Sequence, residues 1–382
     1  MSPGRWEFHN PTRIVAGTGA LHELGDLVQG RVLLVTSPGA TQRGLTDRIV
    51  AIVGAGRVLV HDRVASNPGV ELLDRSIDEL RGEDVDAVVA VGGGSAIDTG
   101  KVLSLALAMP ASRVHDLVDA APNDDIAPVP LVAVPTTAGT GSEVTPFATV
   151  WDTSAQRKLS VGGVALYPHV ALIDPMLSVG LEWDVTLSTG LDAYVQCFEA
   201  ICNRHASTVT TAFAERGLGL VPDALRTLKD DLGAIDARVR MAEAALLSGL
   251  AISNTRTALA HSMSYPITAR LGVPHGLACA LVLPAVLEFN LEADDGRLDD
   301  LAHRSGLAGS DELLGAVIDL YRYLDVARAL GRYLGGLEPL SALAPEMLTP
   351  ARADNNLRPA DEDAVCAILR RTVDLVGVAP VR

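Results

Sequence analysis

The first half of the chain alternates short, continuously apolar stretches with amphipathic ones. Arg31-Val32-Leu33-Leu34-Val35-Thr36, Arg57-Val58-Leu59-Val60, Asp86-Ala87-Val88-Val89-Ala90-Val91 and Pro130-Leu131-Val132-Ala133-Val134 each read as a buried strand. The first closes in Ser37-Pro38-Gly39, the third in Gly92-Gly93-Gly94 and the fourth in Pro135-Thr136-Thr137. Helical spacing lies between them, over Val70 to Arg81 and Ser95 to Ala108. Strands apolar at every position are covered on both faces, so the pattern predicts a parallel sheet flanked by helices.

From about Asp184 the apolar spacing turns helical. It runs over Leu187 to Asn203, Val209 to Leu228, Ile235 to Ser253, Thr257 to Ala269, Gly276 to Asn290, Glu312 to Leu324 and Asp361 to Val376. The expectation is an α/β domain over residues 1–182 and an all-helical domain over 183–382. No Ser/Gly-rich linker, internal repeat or low-complexity tract interrupts the chain.

Composition narrows the partners. The 382 residues are 48% hydrophobic and 20% charged, ordinary for a protein with a large core. A net charge of −16 argues against nucleic acid and anionic membranes, while leaving room for a small anionic substrate in a local basic pocket. No apolar run approaches the roughly 20 residues needed to cross a bilayer. Met1 to His9 lacks the basic start and apolar core of a signal peptide. Cys197, Cys202, Cys279 and Cys366 show no paired-ligand spacing, so they read as buried thiols in a reducing compartment, the cytoplasm.

Two glycine-rich turns carry the first chemical signal. In Val91-Gly92-Gly93-Gly94-Ser95 a strand ends and a helix begins, and free amides at a helix N-terminus form an anion site. Pro135-Thr136-Thr137-Ala138-Gly139-Thr140-Gly141-Ser142 also follows a strand and adds hydroxyls. Two such turns predict a dinucleotide across the strand ends, on a Rossmann-like sheet without the usual GxGxxG fingerprint.

The second signal is a set of metal donors. Asp192 and Gln196 stand four apart on a predicted helix and share a face. His261 opens another helical run, and His275 precedes a third. Carboxylate, amide oxygen and two imidazoles suit Fe(II), Zn(II) or Mn(II), and such a cation polarises an alcohol or carbonyl oxygen.

With these residues in place the chain resembles the iron-containing (group III) alcohol dehydrogenase family, nearly end to end. The resemblance is carried by Phe8–Gly17, Asn67-Pro68, Gly92–Lys101, Pro135–Glu143, Asp174-Pro175, Thr189–Ala193, Gly249-Leu250-Ala251, Pro274–Ala278 and Asn356–Pro359. It implies the dehydroquinate synthase-like fold: an N-terminal dinucleotide-binding domain, a helical C-terminal domain, and metal and substrate in the cleft between. It also implies a homo-oligomer, a dimer. The nicotinamide cofactor would lie against Ser37, Asn67, Gly93, Gly94, Ser95, Thr136, Thr137, Thr140 and Lys158. Asp192, His261 and His275 match three of the family's four metal positions, and Gln196 stands where a histidine is expected.

Three further positions set this chain apart. Tyr265 replaces a histidine that many members carry near the nicotinamide, which makes its hydroxyl the candidate proton relay. Ser37 replaces an aspartate that would repel a 2′-phosphate, so NADPH is expected alongside NADH. Arg256, in Asn254-Thr255-Arg256-Thr257, is similar to the subgroup of phosphonoacetaldehyde reductases, and its guanidinium is the preferred fork for phosphonate oxygens.

The expectation is therefore reduction of a small aldehyde, phosphonoacetaldehyde to 2-hydroxyethylphosphonate first, with a short-chain alcohol or another anionic carbonyl compound as the alternative. A dehydroquinate synthase-like cyclase would need more lysine than Lys101 and Lys158, the only lysines before Lys229. A non-catalytic binding protein would account for Gln196 as a lost ligand, but leaves Asp192, His261 and His275 unexplained.

Overall fold

A computed structural model describes residues 5–109, 112–120, 126–152, 157–334 and 338–377. Two compact units emerge, Asn10–Val179 and Met1–His9 with Gly180–Arg382.

The first unit contains β1 (Arg13–Ala16), β2 (Val32–Val35), β3 (Val58–His61), β4 (Ala87–Gly92), β5 (Leu131–Pro135), β6 (Phe147–Asp152), β7 (Arg157–Gly162) and β8 (Val170–Ile173). Six of them form one parallel sheet in the order β1-β8-β5-β4-β2-β3. Alternate residues of the central strands feed two cores. Leu33, Val35, Val88 and Ala90 pack with α2 (Val70–Leu80) and α3 (Gly94–Ala108). Val32, Leu34, Val89 and Val91 pack on the opposite face with Ile49 and Val53 of α1 (Leu45–Val53). Being covered on both faces is why these strands read as unbroken apolar runs.

The order has one reversal. From β2 the chain steps outward to β3, then returns past β2 to β4 and continues to β5. The crevice between the carboxyl ends of β2 and β4 is thus a topological switch point, where doubly wound sheets bind their ligands.

The second unit is built from helices and turns. Its principal helices are α4 (Trp183–Ile201), α5 (Thr208–Asp230), α6 (Ile235–Thr255), α7 (Leu259–Leu271), α8 (His275–Leu291), α9 (Ser310–Tyr323) and α10 (Glu362–Val376). Ser207 starts α5 with a reciprocal cap: its hydroxyl accepts from Thr210 N at 3.3 Å and its own N–H donates to Thr210 Oγ1 at 2.8 Å. α8 is buried at every position from Gly276 to Leu287, which makes it the central helix of this unit. The fold is α/β followed by all-α, as the apolar spacing predicts. Among the described residues, no helix is long and apolar enough to cross a membrane.

Sequence patterning misses the antiparallel β6–β7 hairpin and β8. β6 alternates buried and half-buried positions, so its hydrophobicity is diluted by Thr149 and Asp152. β8 has only four residues, and only the short 3-10 turn Val164–Leu166 separates it from β7.

Candidate functional site

The sheet brings the residues expected to hold the cofactor to one edge. Ser37 follows β2 and caps the short helix Pro38–Gln42, its Oγ accepting from Ala40 N at 3.3 Å. Gly93, Gly94 and Ser95 follow β4, and Thr136, Thr137 and Thr140 lie at and beyond the end of β5. The two turns touch. A Cβ on Gly94 would lie 2.8 Å from Thr140 Cγ2, so only glycine lets the helix start this close to the neighbouring turn. Asn67, in a left-handed conformation (φ 53°), donates its backbone N–H to Ser95 Oγ at 3.2 Å. Lys158 is on β7, paired with Trp151 of β6, whose N–H donates to Pro68 O at 2.9 Å. β6 thus runs between β7, which carries Lys158, and the Pro68-Gly69 segment.

Two buried groups of α3 hold this arrangement. Asp98 accepts from Ser142 Oγ (2.5 Å) and Thr149 N (2.8 Å), and burial raises its pKa against the opposing pull of Lys101. Lys101 donates to Thr145 O (2.8 Å), Thr145 Oγ1 (3.2 Å) and Phe147 O (2.8 Å), and burial lowers its pKa to about 8. Its three bonds all run to the segment leading into the hairpin, so Lys101 is a brace.

In the helical unit, α4 buries Asp192, Gln196 and Glu199. Buried polar groups require partners. Asp192 Oδ1 lies 3.2 Å from His261 Nε2. Glu199 accepts three bonds: its Oε1 from His261 N (3.0 Å), its Oε2 from Ala258 N (3.0 Å) and from His261 Nδ1 (2.6 Å). An ionised carboxylate only accepts, so Nδ1 carries the proton and the Nε2 lone pair faces Asp192 Oδ1. Two acceptors at that distance require a positive charge between them, a proton or a metal ion.

His275 begins α8, its ring 5.4 Å from that of His261 and stacked at 6.2 Å on Tyr265. Four residues on, Cys279 Sγ lies 3.9 Å from both ring nitrogens of His275. Donor atoms of Asp192, His261, His275 and Cys279 all fall within 4.8 Å of one another. Burial opposes charge on both His261 and Cys279. The mutual attraction of thiolate and imidazolium, with Glu199 and Asp192, still holds His261 well above its ordinary range and Cys279 at about 7. Close packing fixes the geometry: a Cβ on Gly276 would lie 1.8 Å from Ser188 O and 2.9 Å from Asp192 Cβ.

The expected donors come from three helices, α4, α7 and α8. Asp192, His261 and His275 converge, joined by Cys279. Gln196, one turn along α4 from Asp192, has its Oε1 accepting from Ser248 Oγ of α6 at 2.8 Å. The reading of the cysteines as buried thiols holds for Cys197, Cys202 and Cys279, whereas Cys366 is half-buried; burial raises the pKa values of Cys197 and Cys202, to about 12 in Cys202. Cys279 also stands among the candidate metal donors. Sequence reasoning overlooked Cys279 and Glu199, although each had a spacing signal: Cys279 four residues after His275, and Glu199 seven after Asp192.

Arg256 ends α6 at φ 62°, a left-handed conformation uncommon for a side-chain-bearing residue. Its carbonyl is held by Asn203 Nδ2 (3.3 Å) and Thr255 Oγ1 (2.9 Å). Glu199, by binding Ala258 N and His261 N, ties the next turn to the metal cluster. Surrounding protein, then the like charge of Arg352, lowers the Arg256 pKa. Among the described residues no carboxylate pairs with its exposed guanidinium.

Comparison with known proteins extends over both units. A family model for iron-containing alcohol dehydrogenase matches residues 11–175, and one for the C-terminal part of the Fe-containing alcohol dehydrogenase family matches residues 186–373. Choline dehydrogenase of Bacillus subtilis is 32% identical over 311 residues, covering 78% of this chain and 76% of that protein. Phosphonoacetaldehyde reductase of Streptomyces viridochromogenes is 33% identical over 357 residues, 89% of each chain. Among solved structures, sulfoacetaldehyde reductase from Bifidobacterium kashiwanohense in complex with NAD+ superimposes with a TM-score of 0.86. Its sequence identity is 27%, over 96% of this chain and 98% of that one.

Proposed function

Since the chain belongs to the iron-containing alcohol dehydrogenase family, we propose that this oxidoreductase reduces a small anionic aldehyde to its alcohol at the expense of NADH or NADPH. Phosphonoacetaldehyde, giving 2-hydroxyethylphosphonate, is the substrate we favour. When bound, a divalent metal polarises the carbonyl oxygen and the reduced nicotinamide supplies hydride.

The chain's own residues do the rest. Asp192, His261 and His275 have the donor chemistry and convergence to hold Fe(II) or Zn(II). Glu199 keeps the proton on His261 Nδ1 and so leaves Nε2 free to ligate. The N-terminus of α3, with Gly93, Gly94 and Ser95, offers amides to the cofactor's pyrophosphate. Ser37 carries no charge to repel a 2′-phosphate. The Tyr265 hydroxyl donates the proton that completes the alcohol; its ring is oriented by stacking on His275.

The observation that carries the substrate class is Arg256. A guanidinium with no carboxylate partner among the described residues, next to the like-charged Arg352, is suited to an external anion. Support also comes from relatives named for phosphonate- and sulfonate-bearing aldehydes.

The test is a panel of phosphonoacetaldehyde, sulfoacetaldehyde and propanal, each with NADH and NADPH. A charge-assisted bond contributes roughly 1.5–3 kcal/mol. At about 1.4 kcal/mol per decade, Arg256→Ala should lower kcat/KM about ten- to a hundredfold on the anionic aldehydes and leave propanal unchanged. Equal loss on all three would overturn the anionic-substrate reading.

A further inference from the structure

We propose that Cys279, and not Gln196, is the fourth metal donor of this chain, giving an Asp192, His261, His275, Cys279 set that favours Zn(II) over Fe(II). This rests on the metal-dependent reading above and deepens it.

Geometry is the first argument. Around a tetrahedral cation with bonds of about 2.0–2.3 Å, neighbouring donor atoms lie about 3.3–3.7 Å apart. His261 Nε2 and Asp192 Oδ1 are 3.2 Å apart, and Cys279 Sγ is 3.9 Å from the His275 ring nitrogens. With all four donors within 4.8 Å of one another, side-chain shifts of up to about an ångström would close such a shell. The spacing of His275 and Cys279 on α8 puts thiol and imidazole on one face, just as Asp192 and Gln196 share a face of α4.

The second argument is where Gln196 spends its oxygen. Gln196 Oε1 accepts from Ser248 Oγ at 2.8 Å inside the core, which occupies one of its two lone pairs. A neutral amide oxygen is a weak donor even when unencumbered. Thiolate is a strong, soft one, and a mixed sulfur and nitrogen set is characteristic of zinc. The loss of an imidazole at position 196 and the presence of a thiol at 279 are thus read together as an exchanged ligand.

The experiment uses the full-length protein, stripped with a chelator and reloaded with Co(II) or Zn(II). Wild type should bind one Co(II) per chain and show a near-ultraviolet thiolate-to-cobalt charge-transfer band. Cys279→Ser should lose the band and weaken Zn(II) by at least about tenfold, the lower bound seen for loss of an outer-shell partner. Gln196→Ala should keep both the band and the affinity. Stoichiometric Co(II) in wild type with no thiolate band overturns the Cys279 assignment while leaving the metal-dependent reading intact. Failure of wild type to bind Co(II) or Zn(II) overturns both. The wild-type spectrum decides the matter even if Cys279→Ser fails to fold.

Discussion

Glu199→Gln is the most economical probe of how the metal cluster is held. The substitution keeps the shape of the side chain and removes its charge. Glu199 now accepts from three buried donors, His261 Nδ1, His261 N and Ala258 N. A glutamine has one acceptor oxygen. If that oxygen keeps the two bonds at Oε2, its amide nitrogen faces the His261 N–H and one buried donor goes unsatisfied. Such a donor costs about 1–3 kcal/mol. Taking about 2 kcal/mol, and about 2–4 °C per kcal/mol for a unit of this size, the melting temperature should fall by about 4–8 °C. Metal affinity should fall by about 10–100-fold, because the imidazole loses the partner that fixes its tautomer and ring orientation. Thermal melting of the metal-free protein and competition with a chromophoric chelator measure the two effects separately. Unchanged metal affinity, whatever happens to the melting temperature, would refute the idea that Glu199 positions His261.

Three other outcomes follow from local geometry. Gly276→Ala should destabilise the protein by about 1–3 kcal/mol or more and abolish metal binding, since its Cβ would meet Ser188 O at 1.8 Å. Gly219→Ala, on an exposed turn of α5 with nothing within 4 Å of the new Cβ, should instead stabilise by about 0.5–1 kcal/mol in denaturant titration. Wild type should use NADPH at least comparably with NADH, and Ser37→Asp should shift preference toward NADH. Aspartate caps helices as well as serine, so this change should leave the Pro38–Gln42 turn formed, and strong rejection of NADPH by wild type would contradict the role given to Ser37.

What the sequence made legible depended on whether the signal was local. β2, β4 and β5 are apolar at every position because each is covered twice, and such runs stand out in any reading. Helices α4 to α8 announced themselves by spacing. The β6–β7 hairpin did not, because its identity lies in the pairing of Phe147 with Gly162 and Trp151 with Lys158, contacts no single segment encodes. The metal donors divide in the same way. Asp192, His261 and His275, whose donor atoms the structure brings together, are marked by their motifs. Cys279 has no second cysteine at ligand spacing, and its meaning comes from His275 one turn back and from two other helices. Glu199 looked like an ordinary helix residue, and only the fold shows that its carboxylate gathers the turn before α7.

The braced position of Lys101 has a practical side. The chain has only three lysines. Lys101 is fully enclosed, with its three donors committed to Thr145 and Phe147. Lys229 is partly covered and tethered to Tyr323 O and Asp325. Amine-directed coupling, whether for surface immobilisation, dye labelling or cross-linking, therefore has few side chains to use, and one of them, the half-buried Lys158 on the β6–β7 hairpin, is itself expected to hold the cofactor. A support attached there would occupy a residue expected to hold the cofactor. Attachment through the plentiful surface carboxylates of this acidic chain avoids that edge and is the better route to an active immobilised enzyme.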